Sequence, residues 1–176
     1  RIADDWVDLA FHLVFGSFDL GVRNGSGVLV DPSGLVITSA HVVSNASALW
    51  VEFSEGTTVA ASVEAAAPSL DLALLRITSN PRTPGSVPGP TAPPFPCLEL
   101  EPEIPLPGEV ALVLGYPGRD LLGSQSLLPD SAPWATGPIQ PTATLGIVSA
   151  VEVDLGHPTL RFLQVDAALN PGNSGG

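Results

Sequence analysis

The sequence predicts an all-β fold, and three observations support that prediction. Short apolar runs recur along the chain and are separated by turn-forming residues, as in proteins built from many short strands. Glycine (18) and proline (19) are both abundant, which suits frequent turns. No segment keeps a helical period of apolar residues, and only residues 40–44 suit a single helical turn. With 176 residues, 44% of them hydrophobic and 14% charged, the chain can fill a core.

The predicted strands follow from runs of apolar and β-branched residues. In chain order they cover residues 9–15, 27–30, 35–39, 48–53, 57–63, 72–77, 110–114, 144–153 and 159–165. The clearest turn is Asp31-Pro32-Ser33-Gly34, because a type I turn prefers proline at its second position and glycine at its fourth. Turn signals at 54–56 and 154–158 predict two further hairpins.

Two stretches interrupt the strands and divide the chain. Residues 80–96 contain seven prolines and two glycines, so this stretch is not expected to pair in a sheet. Residues 118–141 are rich in glycine, proline and serine and are predicted to form a long surface loop. We therefore expect one β-barrel unit in residues 1–80, a Pro-rich linker in residues 81–96 and a second β-unit in residues 97–176.

Composition excludes several classes of function. The net charge of −12, with only six Lys and Arg residues, argues against a nucleic-acid partner, because no basic surface can form. No apolar run approaches the roughly 20 residues that cross a membrane. Cys97 is the only cysteine, so no intrachain disulfide is expected; it is predicted to be a small buried residue. The chain lacks methionine and begins without a signal-like stretch, so we expect a segment cut from a longer protein at both ends.

The most informative motif closes the sequence and reads Asn170-Pro171-Gly172-Asn173-Ser174-Gly175-Gly176. A serine set between a Pro-Gly-Asn turn and two glycines holds its hydroxyl out on a bend, and the surrounding backbone N–H groups point at one place. Acyl-transfer enzymes need an exposed nucleophile with an oxyanion hole beside it. The motif therefore predicts a nucleophilic serine.

A serine hydroxyl needs a base, and histidine is the usual one because its ordinary pKa lies near neutrality. His41 stands where an apolar strand ends and a short turn begins, a place that holds a side chain rigidly beside a cleft. A capping or core role for His41 stays open at this point. His12 lies inside a predicted strand and His157 in a turn before proline, so both are weaker candidates.

A catalytic histidine needs an acceptor for its second ring nitrogen. Asp71 enters an apolar strand, where a carboxylate is costly to bury unless it is paired; the alternative is a charge left in solvent. Asp166, four residues before Asn170, is a candidate for positioning the serine loop. The order His41, Asp71, Ser174 is that of the chymotrypsin-like double β-barrel, which agrees with the predicted strands.

Several collinear blocks give the chain a more specific resemblance. They are residues 25–30 (GSGVLV), 34–43 (GLVITSAHVV), 71–77 (DLALLRI), 145–150 (LGIVSA) and 164–176 (QVDAALNPGNSGG). On these blocks the chain resembles the HtrA/Deg branch of the trypsin-like serine endopeptidases. One block alone is a weak pattern, but all of them in order across residues 25–176 are highly specific.

The resemblance implies a serine endopeptidase that works through an acyl-enzyme. Ser174 would be the nucleophile, His41 the general base and then acid, and Asp71 its orienter. The backbone N–H groups of Gly172, Asn173 and Ser174 would form the oxyanion hole, and no metal or cofactor is required. By the same analogy we expect protein or peptide substrates, unfolded or damaged ones above all, a homo-oligomer in the form of a trimer, and a cell-envelope, periplasmic or extracellular location.

Two departures from the family pattern bear on function. Asp71 and Ser174 lie 103 positions apart, further than is usual in the family, and the excess falls in residues 80–96 and 118–141. The sequence also stops two residues after Ser174, so we expect an incomplete second barrel and a segment that is unstable or poorly active alone. The alternative to an enzyme is a catalytically idle relative that binds extended peptides through its cleft.

Overall fold

The structure is a computed structural model that describes residues 10–17, 21–54, 58–81, 94–117, 140–156 and 161–176. For residues 10–17, 21–23 and 79–81 it describes the backbone alone. Some predicted features lie outside the described residues. They are His157, most of the turn at 54–56, most of the Pro-rich stretch and nearly all of the loop at 118–141.

Strands make up most of the regular structure. They are β1 (Ala10–Ser17), β2 (Gly21–Asp31), β3 (Leu35–Ser39), β4 (Ala48–Glu52), β5 (Thr58–Ala67), β6 (Leu72–Pro81), β7 (Val110–Gly115), β8 (Thr142–Val153) and β9 (Phe162–Val165). A single helical turn, α1 (Ala40–Val43), follows β3, as the sequence predicts. A 3-10 turn at Pro68–Leu70, which the sequence does not predict, joins β5 to β6.

The strands form one closed barrel and one open sheet. The barrel is antiparallel, in the order β1-β2-β3-β6-β5-β4, and β1 closes it by pairing with both β2 and β4. Closure leaves the barrel without the unpaired strand edges that promote aggregation. The other strands form an antiparallel sheet in the order β7-β8-β9. The predicted all-β fold is therefore confirmed. The open sheet lies in the part of the chain where we expected an incomplete second barrel.

Apolar side chains that alternate along the strands fill the barrel. On β3, Val36 and Thr38 are buried while their neighbours are half-buried, as the two-residue period of a strand requires. The largest fully buried apolar side chains are Leu29, Val36, Val51, Phe53, Val59 and Leu75. Burying one such side chain contributes about 1.5–3 kcal/mol to the free energy of unfolding. This core fixes the strand ends that carry the site.

Strand ends differ from prediction where pairing, rather than the apolar pattern, decides them. β2 starts earlier than predicted, because Gly21 pairs with Ser17 of β1. β5 runs on to Ala67, because a register shift between Val63 and Ala65 keeps it paired with β6. The extension of β5, residues 64–67, is one glutamate and three alanines, so its apolar pattern does not reveal a strand.

The Pro-rich stretch takes part in the first barrel at both of its described ends. Pro81 ends β6 and lies opposite Val59, so the prediction that this stretch does not pair in a sheet is wrong at its start. A strand end tolerates the missing N–H of proline. Phe95 is buried in the barrel, and its ring stacks on Phe53 with the centroids 6.1 Å apart. Cys97 is half-buried against the same core.

The open sheet encloses much less apolar surface than the barrel does. Val148 and Tyr116 are buried, but Val110 is 73% exposed and Leu145 is 71% exposed. The described residues therefore leave one apolar face of this sheet uncovered. Packing supports the barrel far more than it supports the sheet.

Candidate active site

The register of two neighbouring strands brings His41 and Asp71 together. β3 and β6 run antiparallel, and Ser39 at the end of β3 lies opposite Leu72 at the start of β6. His41 follows β3 in α1, and Asp71 directly precedes β6. The two residues, 30 positions apart in sequence, therefore reach the same end of the barrel.

The Asp71 carboxylate contacts His41 through both of its oxygens. Oδ1 accepts the backbone N–H of His41 at 2.8 Å, and Oδ2 lies 2.7 Å from the ring Nδ1. The His41 and Asp71 side chains are 58% and 51% exposed, so the pair faces an open surface. With its proton on Nδ1, the ring is held in one orientation and Nε2 is free to accept a proton. A general base needs this arrangement.

Asp71 reaches α1 because its backbone is left-handed, with φ 51° and ψ 39°. Its N–H donates to the Pro68 carbonyl at 3.1 Å, and its own carbonyl accepts the Ala40 N–H at 3.0 Å. Aspartate adopts this region more readily than most residues do. The bend between β5 and β6 therefore aims the carboxylate at His41.

The surroundings of Asp71 keep its carboxylate ionised. Partial desolvation raises the pKa of Asp71, but hydrogen bonds from the His41 N–H and ring, the charge of His41 and the Ala40 N–H outweigh it. The net result is a pKa below the ordinary value of 3.8. Asp71 is therefore negatively charged at neutral pH and stabilises a positively charged imidazole ring.

Ser174 lies in a tight loop whose turns explain its sequence. The Asn173 N–H donates to the Asn170 carbonyl at 3.0 Å. Gly172 and Gly175 have φ values of 100° and 88°, which glycine adopts without the steric cost that other residues meet. The Ser174 residue between them is half-buried.

Strand β2 holds this loop through Ser26, which is fully buried. The Ser26 N–H donates to the Ser174 carbonyl at 2.9 Å, and the Ser26 Oγ donates to the Gly172 carbonyl at 2.7 Å. Sequence reasoning missed Ser26, whose only signal was its place between two glycines in the block 25–30.

The loop also reaches the strand end that carries His41. A Cβ atom added to Gly175 would lie 3.0 Å from the backbone nitrogen of Ser39, two residues before His41. Among the described residues there is no hydrogen bond between the Ser174 hydroxyl and His41. Such bonds are commonly long before substrate binds. The structure thus pairs His41 with Asp71 directly and brings the Ser174 loop to the same end of the barrel.

The loop N–H groups without a backbone acceptor among the described residues include those of Gly172, Ser174 and Gly175. The Asn173 N–H, the third donor expected for the oxyanion hole, is instead bonded to the Asn170 carbonyl. The N–H groups of Gly172 and Ser174 flank Asn173 in the sequence, and they can donate to a group bound beside Ser174.

A cavity of about 420 Å³ opens beside the His41–Asp71 pair. Apolar groups make up much of its wall, among them Val63, Ala66 and Pro68. Cavities lined mainly by apolar groups, with a few polar groups that fix orientation, are typical of ligand sites. The cavity can therefore hold an apolar side chain next to His41.

Asp166 ties the segment before Ser174 to the open sheet. Its carboxylate accepts the Ile147 N–H at 2.7 Å, and its own N–H donates to the Ile147 carbonyl at 3.2 Å. The positioning role of Asp166 for the Ser174 loop stays a prediction. Of His12, the structure describes only the backbone, which lies opposite Glu52 across β1 and β4.

The described residues contain neither a cluster of metal-ligating side chains nor a membrane-spanning helix. No three His, Cys, Asp or Glu side chains come together there as metal ligands would. Within the same ranges, no helix has the length and apolar character needed to cross a membrane.

Comparison with known proteins identifies the family. Residues 25–176, which include His41, Asp71 and Ser174, match the trypsin-like peptidase domain family. The chain is also similar to the mitochondrial serine protease HTRA2 of Bos taurus, with 33% identity over 176 residues. This chain belongs to the HtrA-type trypsin-like serine proteases. The resemblance stated from the sequence blocks is thereby confirmed.

Other HtrA proteases match along nearly the whole chain. The serine protease HTRA1A of Danio rerio is 29% identical over 175 residues, which is 97% of this chain and 30% of that protein. The Bos taurus relative is covered to 32% of its length. The chain thus spans about a third of the length of the curated relatives that it matches.

Solved structures of HtrA proteases share the fold. The HtrA-type protease AlgW with tripeptide matches with a TM-score of 0.67 and 27% identity, over 96% of this chain and 46% of that chain. The serine endoprotease from Yersinia pestis also matches with a TM-score of 0.67, at 25% identity, over 96% of this chain and 48% of that chain. The fold described above is therefore a partial trypsin-like fold of the HtrA type.

Proposed function

We propose that this chain carries the catalytic residues of a serine endopeptidase that hydrolyses peptide bonds through an acyl-enzyme. The observation that carries the proposal is the contact of 2.7 Å between His41 and Asp71, made at the barrel end that also receives the Ser174 loop. Membership of the HtrA family supports the proposal, because the relatives named above are serine proteases.

In the proposed acylation step, the Ser174 Oγ attacks the carbonyl carbon of the scissile bond while Nε2 of His41 takes the hydroxyl proton. Asp71 keeps the proton on Nδ1 of the ring and stabilises the imidazolium that forms. His41 then gives its proton to the leaving amine, the C–N bond breaks, and the acyl group stays on Ser174 as an ester.

In the proposed deacylation step, water repeats the attack on the ester. His41 takes a proton from the water as the water oxygen bonds to the acyl carbon. The bond between the acyl carbon and the Ser174 Oγ then breaks, and His41 returns a proton to that Oγ. The carboxylic acid product leaves and the enzyme is restored. This cycle uses only groups of the protein and water, so it requires no metal or cofactor.

We assign the oxyanion hole to the N–H groups of Gly172 and Ser174. Both lack a backbone acceptor among the described residues, whereas the Asn173 N–H is bonded to Asn170. Two donors aimed at the developing oxyanion are enough for this function, and loss of one typically costs about 100- to 1,000-fold in kcat.

The proposed substrates are protein chains in an extended state, such as the unfolded or damaged proteins that the family resemblance suggests. The apolar cavity beside His41 takes an apolar side chain near the scissile bond. One solved HtrA-type relative holds a tripeptide, which fits an extended substrate.

Digestion of unfolded casein by the intact protein tests the proposal. We expect cleavage by the wild type and none above background by Ser174→Ala, which removes the nucleophile and leaves every backbone contact of the loop in place. Retained binding of casein without cleavage by the wild type would contradict the enzyme and favour an idle peptide-binding relative.

A further inference from the structure

We propose that Ser26 is a positioning residue that sets the oxyanion hole by holding two carbonyls of the serine loop. The inference rests on the peptidase activity proposed above and concerns a residue outside the triad. Ser26 lies on β2 in the first barrel, 146 positions before Gly172 in sequence, and its side chain is 0% exposed.

Every hydrogen-bonding group of Ser26 is used at this point. Its N–H donates to the Ser174 carbonyl at 2.9 Å, and its Oγ donates to the Gly172 carbonyl at 2.7 Å. The same Oγ accepts the Tyr116 N–H at 3.0 Å, and the Ser26 carbonyl accepts the Thr38 Oγ1 at 2.8 Å. Because Tyr116 follows β7, one side chain joins the barrel, the open sheet and the serine loop.

The Tyr116 bond gives the Ser26 hydroxyl a direction. A serine hydroxyl has one proton to donate, and Tyr116 occupies an acceptor site on its oxygen. The proton is then directed to Gly172. A buried donor left without its partner costs free energy, so the Gly172 carbonyl is held where the hydroxyl can reach it.

Alternation of peptide planes connects these carbonyls to the oxyanion hole. Each peptide unit is planar, so fixing its C=O also fixes the N–H of the next residue. Ser26 donates hydrogen bonds to the carbonyls of Gly172 and Ser174. The peptide plane of the Gly172 carbonyl also carries the Asn173 N–H, which donates to the Asn170 carbonyl. The peptide planes that precede Gly172 and Ser174 carry the N–H groups that we assign to the oxyanion hole, and neither has a backbone acceptor among the described residues. By holding the peptide planes that follow Gly172 and Ser174, Ser26 therefore keeps the planes that precede these two residues oriented with their N–H groups toward the substrate.

Ser26→Ala tests the inference in the intact protein. The variant keeps the backbone bond to Ser174 but loses both bonds of the hydroxyl, the one to the Gly172 carbonyl and the one from the Tyr116 N–H. We expect kcat to fall about 100-fold with KM within about twofold of the wild type, as for loss of an interaction made only in the transition state. The inhibition constant of a peptide aldehyde, which forms an oxyanion on Ser174, should weaken by a similar factor. The pH at half-maximal kcat/KM should not move, because His41 and Asp71 are untouched.

Thr38→Ala is the matched control. It also removes a buried hydroxyl from the same cluster, but that hydroxyl bonds the Ser26 carbonyl and not the Gly172 carbonyl. We expect it to lower the melting temperature at least as much as Ser26→Ala, with kcat reduced less than tenfold. Ser26→Thr keeps a hydroxyl and should restore aldehyde binding relative to Ser26→Ala. If Ser26→Ala does not fold, Ser26→Cys replaces it, because its S–H group is a weak hydrogen-bond donor. We expect this variant to have a kcat below that of the wild type, with a smaller loss than removal of one oxyanion donor causes.

The outcomes separate this inference from the proposed function. A wild type that neither cleaves peptides nor binds the aldehyde refutes the peptidase itself. An active wild type together with a folded Ser26 variant of unchanged kcat and aldehyde affinity refutes only the positioning role. Equal losses of kcat in the Ser26 and Thr38 variants would likewise overturn it, because stability alone would then explain the effect.

Discussion

At the scale of single residues, the two-point contact between Asp71 and His41 decides what the site can do. One carboxylate oxygen holds the His41 backbone N–H and the other lies 2.7 Å from its ring nitrogen. The ring is therefore fixed in both position and tautomer. A geometry that is fixed before substrate arrives avoids the cost of ordering the ring in the transition state.

Asp71→Asn tests this function of the carboxylate. Asparagine also tolerates the left-handed backbone of position 71, so we expect the variant to fold. Its amide can hold the ring in the wrong tautomer, and kcat should fall by about 10⁴-fold. Steady-state kinetics on a peptide substrate measures the loss. Retention of more than about a tenth of the wild-type kcat would show that another group orients His41.

The lowered pKa of Asp71 also predicts a pH dependence of stability. Because the folded pKa lies below the ordinary value of 3.8, the ionised group stabilises the fold fully above that value, and the stabilisation is lost as pH falls through the folded pKa. Urea unfolding of wild type and Asp71→Asn across this range measures the effect. The gap between their free energies of unfolding should narrow below pH 3.8; a gap that stays constant would contradict the ionised contact.

Residue types and chain order were enough to predict the His41–Asp71 pair, but not Ser26. The pair is local in the fold, because it lies where two adjacent strands meet. The Ser26 contact with Gly172 spans 146 positions and depends on how the loop packs against β2, which no local pattern encodes. The left-handed backbone of Asp71 is likewise a consequence of the turn that joins β5 and β6, and the sequence suggested only a strand.

At the scale of elements, α1 packs directly on the backbone of β2, and a glycine permits this approach. A Cβ atom at Gly25 would lie 2.6 Å from Cγ1 of Val42, closer than side-chain atoms pack. Val42 is the residue after His41 and is buried. The position of His41 therefore depends on the absence of a side chain at residue 25.

Gly25→Ala should displace α1, lowering both stability and kcat. Overpacking of this kind typically costs about 1–3 kcal/mol. The double variant Gly25→Ala/Val42→Ala removes the clashing methyl groups, and we expect it to recover part of the stability and activity lost by the first change. A double-mutant cycle in thermal unfolding and kcat measures the coupling. Strictly additive losses would show that the two positions do not meet.

Strand existence was predictable, whereas strand ends were not. The turn at residues 31–34 and the alternating pattern of β3 correctly predicted the hairpin of β2 and β3. By contrast, the extension of β5 to Ala67 depends on a register shift, and the burial of Phe95 depends on how the Pro-rich stretch folds back onto the barrel. Both are tertiary effects that override local propensity.

At the scale of the whole molecule, the closed barrel and the open sheet are unequally supported. The barrel has a continuous buried core. In the sheet, side chains such as Leu145 and Val110 stay largely exposed among the described residues. Local opening free energies follow buried contacts of this kind.

Hydrogen exchange on the 176-residue chain measures this difference. We expect the amides of Val36 and Leu75, at the centre of the barrel, to exchange at least about 100-fold more slowly than those of β9, a difference of roughly 3 kcal/mol in opening free energy. Equal protection in the two regions would contradict the described burial.

The proposed peptidase activity requires that Ser174 is a nucleophile activated by His41. Labelling of the intact protein with a fluorophosphonate probe, followed by mass spectrometry of its peptides, tests this most directly. The expected result is one covalent adduct on Ser174, absent in Ser174→Ala and formed at least about 100-fold more slowly in His41→Ala, since the base is lost. An unlabelled Ser174 in a protein that still binds unfolded casein would contradict the account.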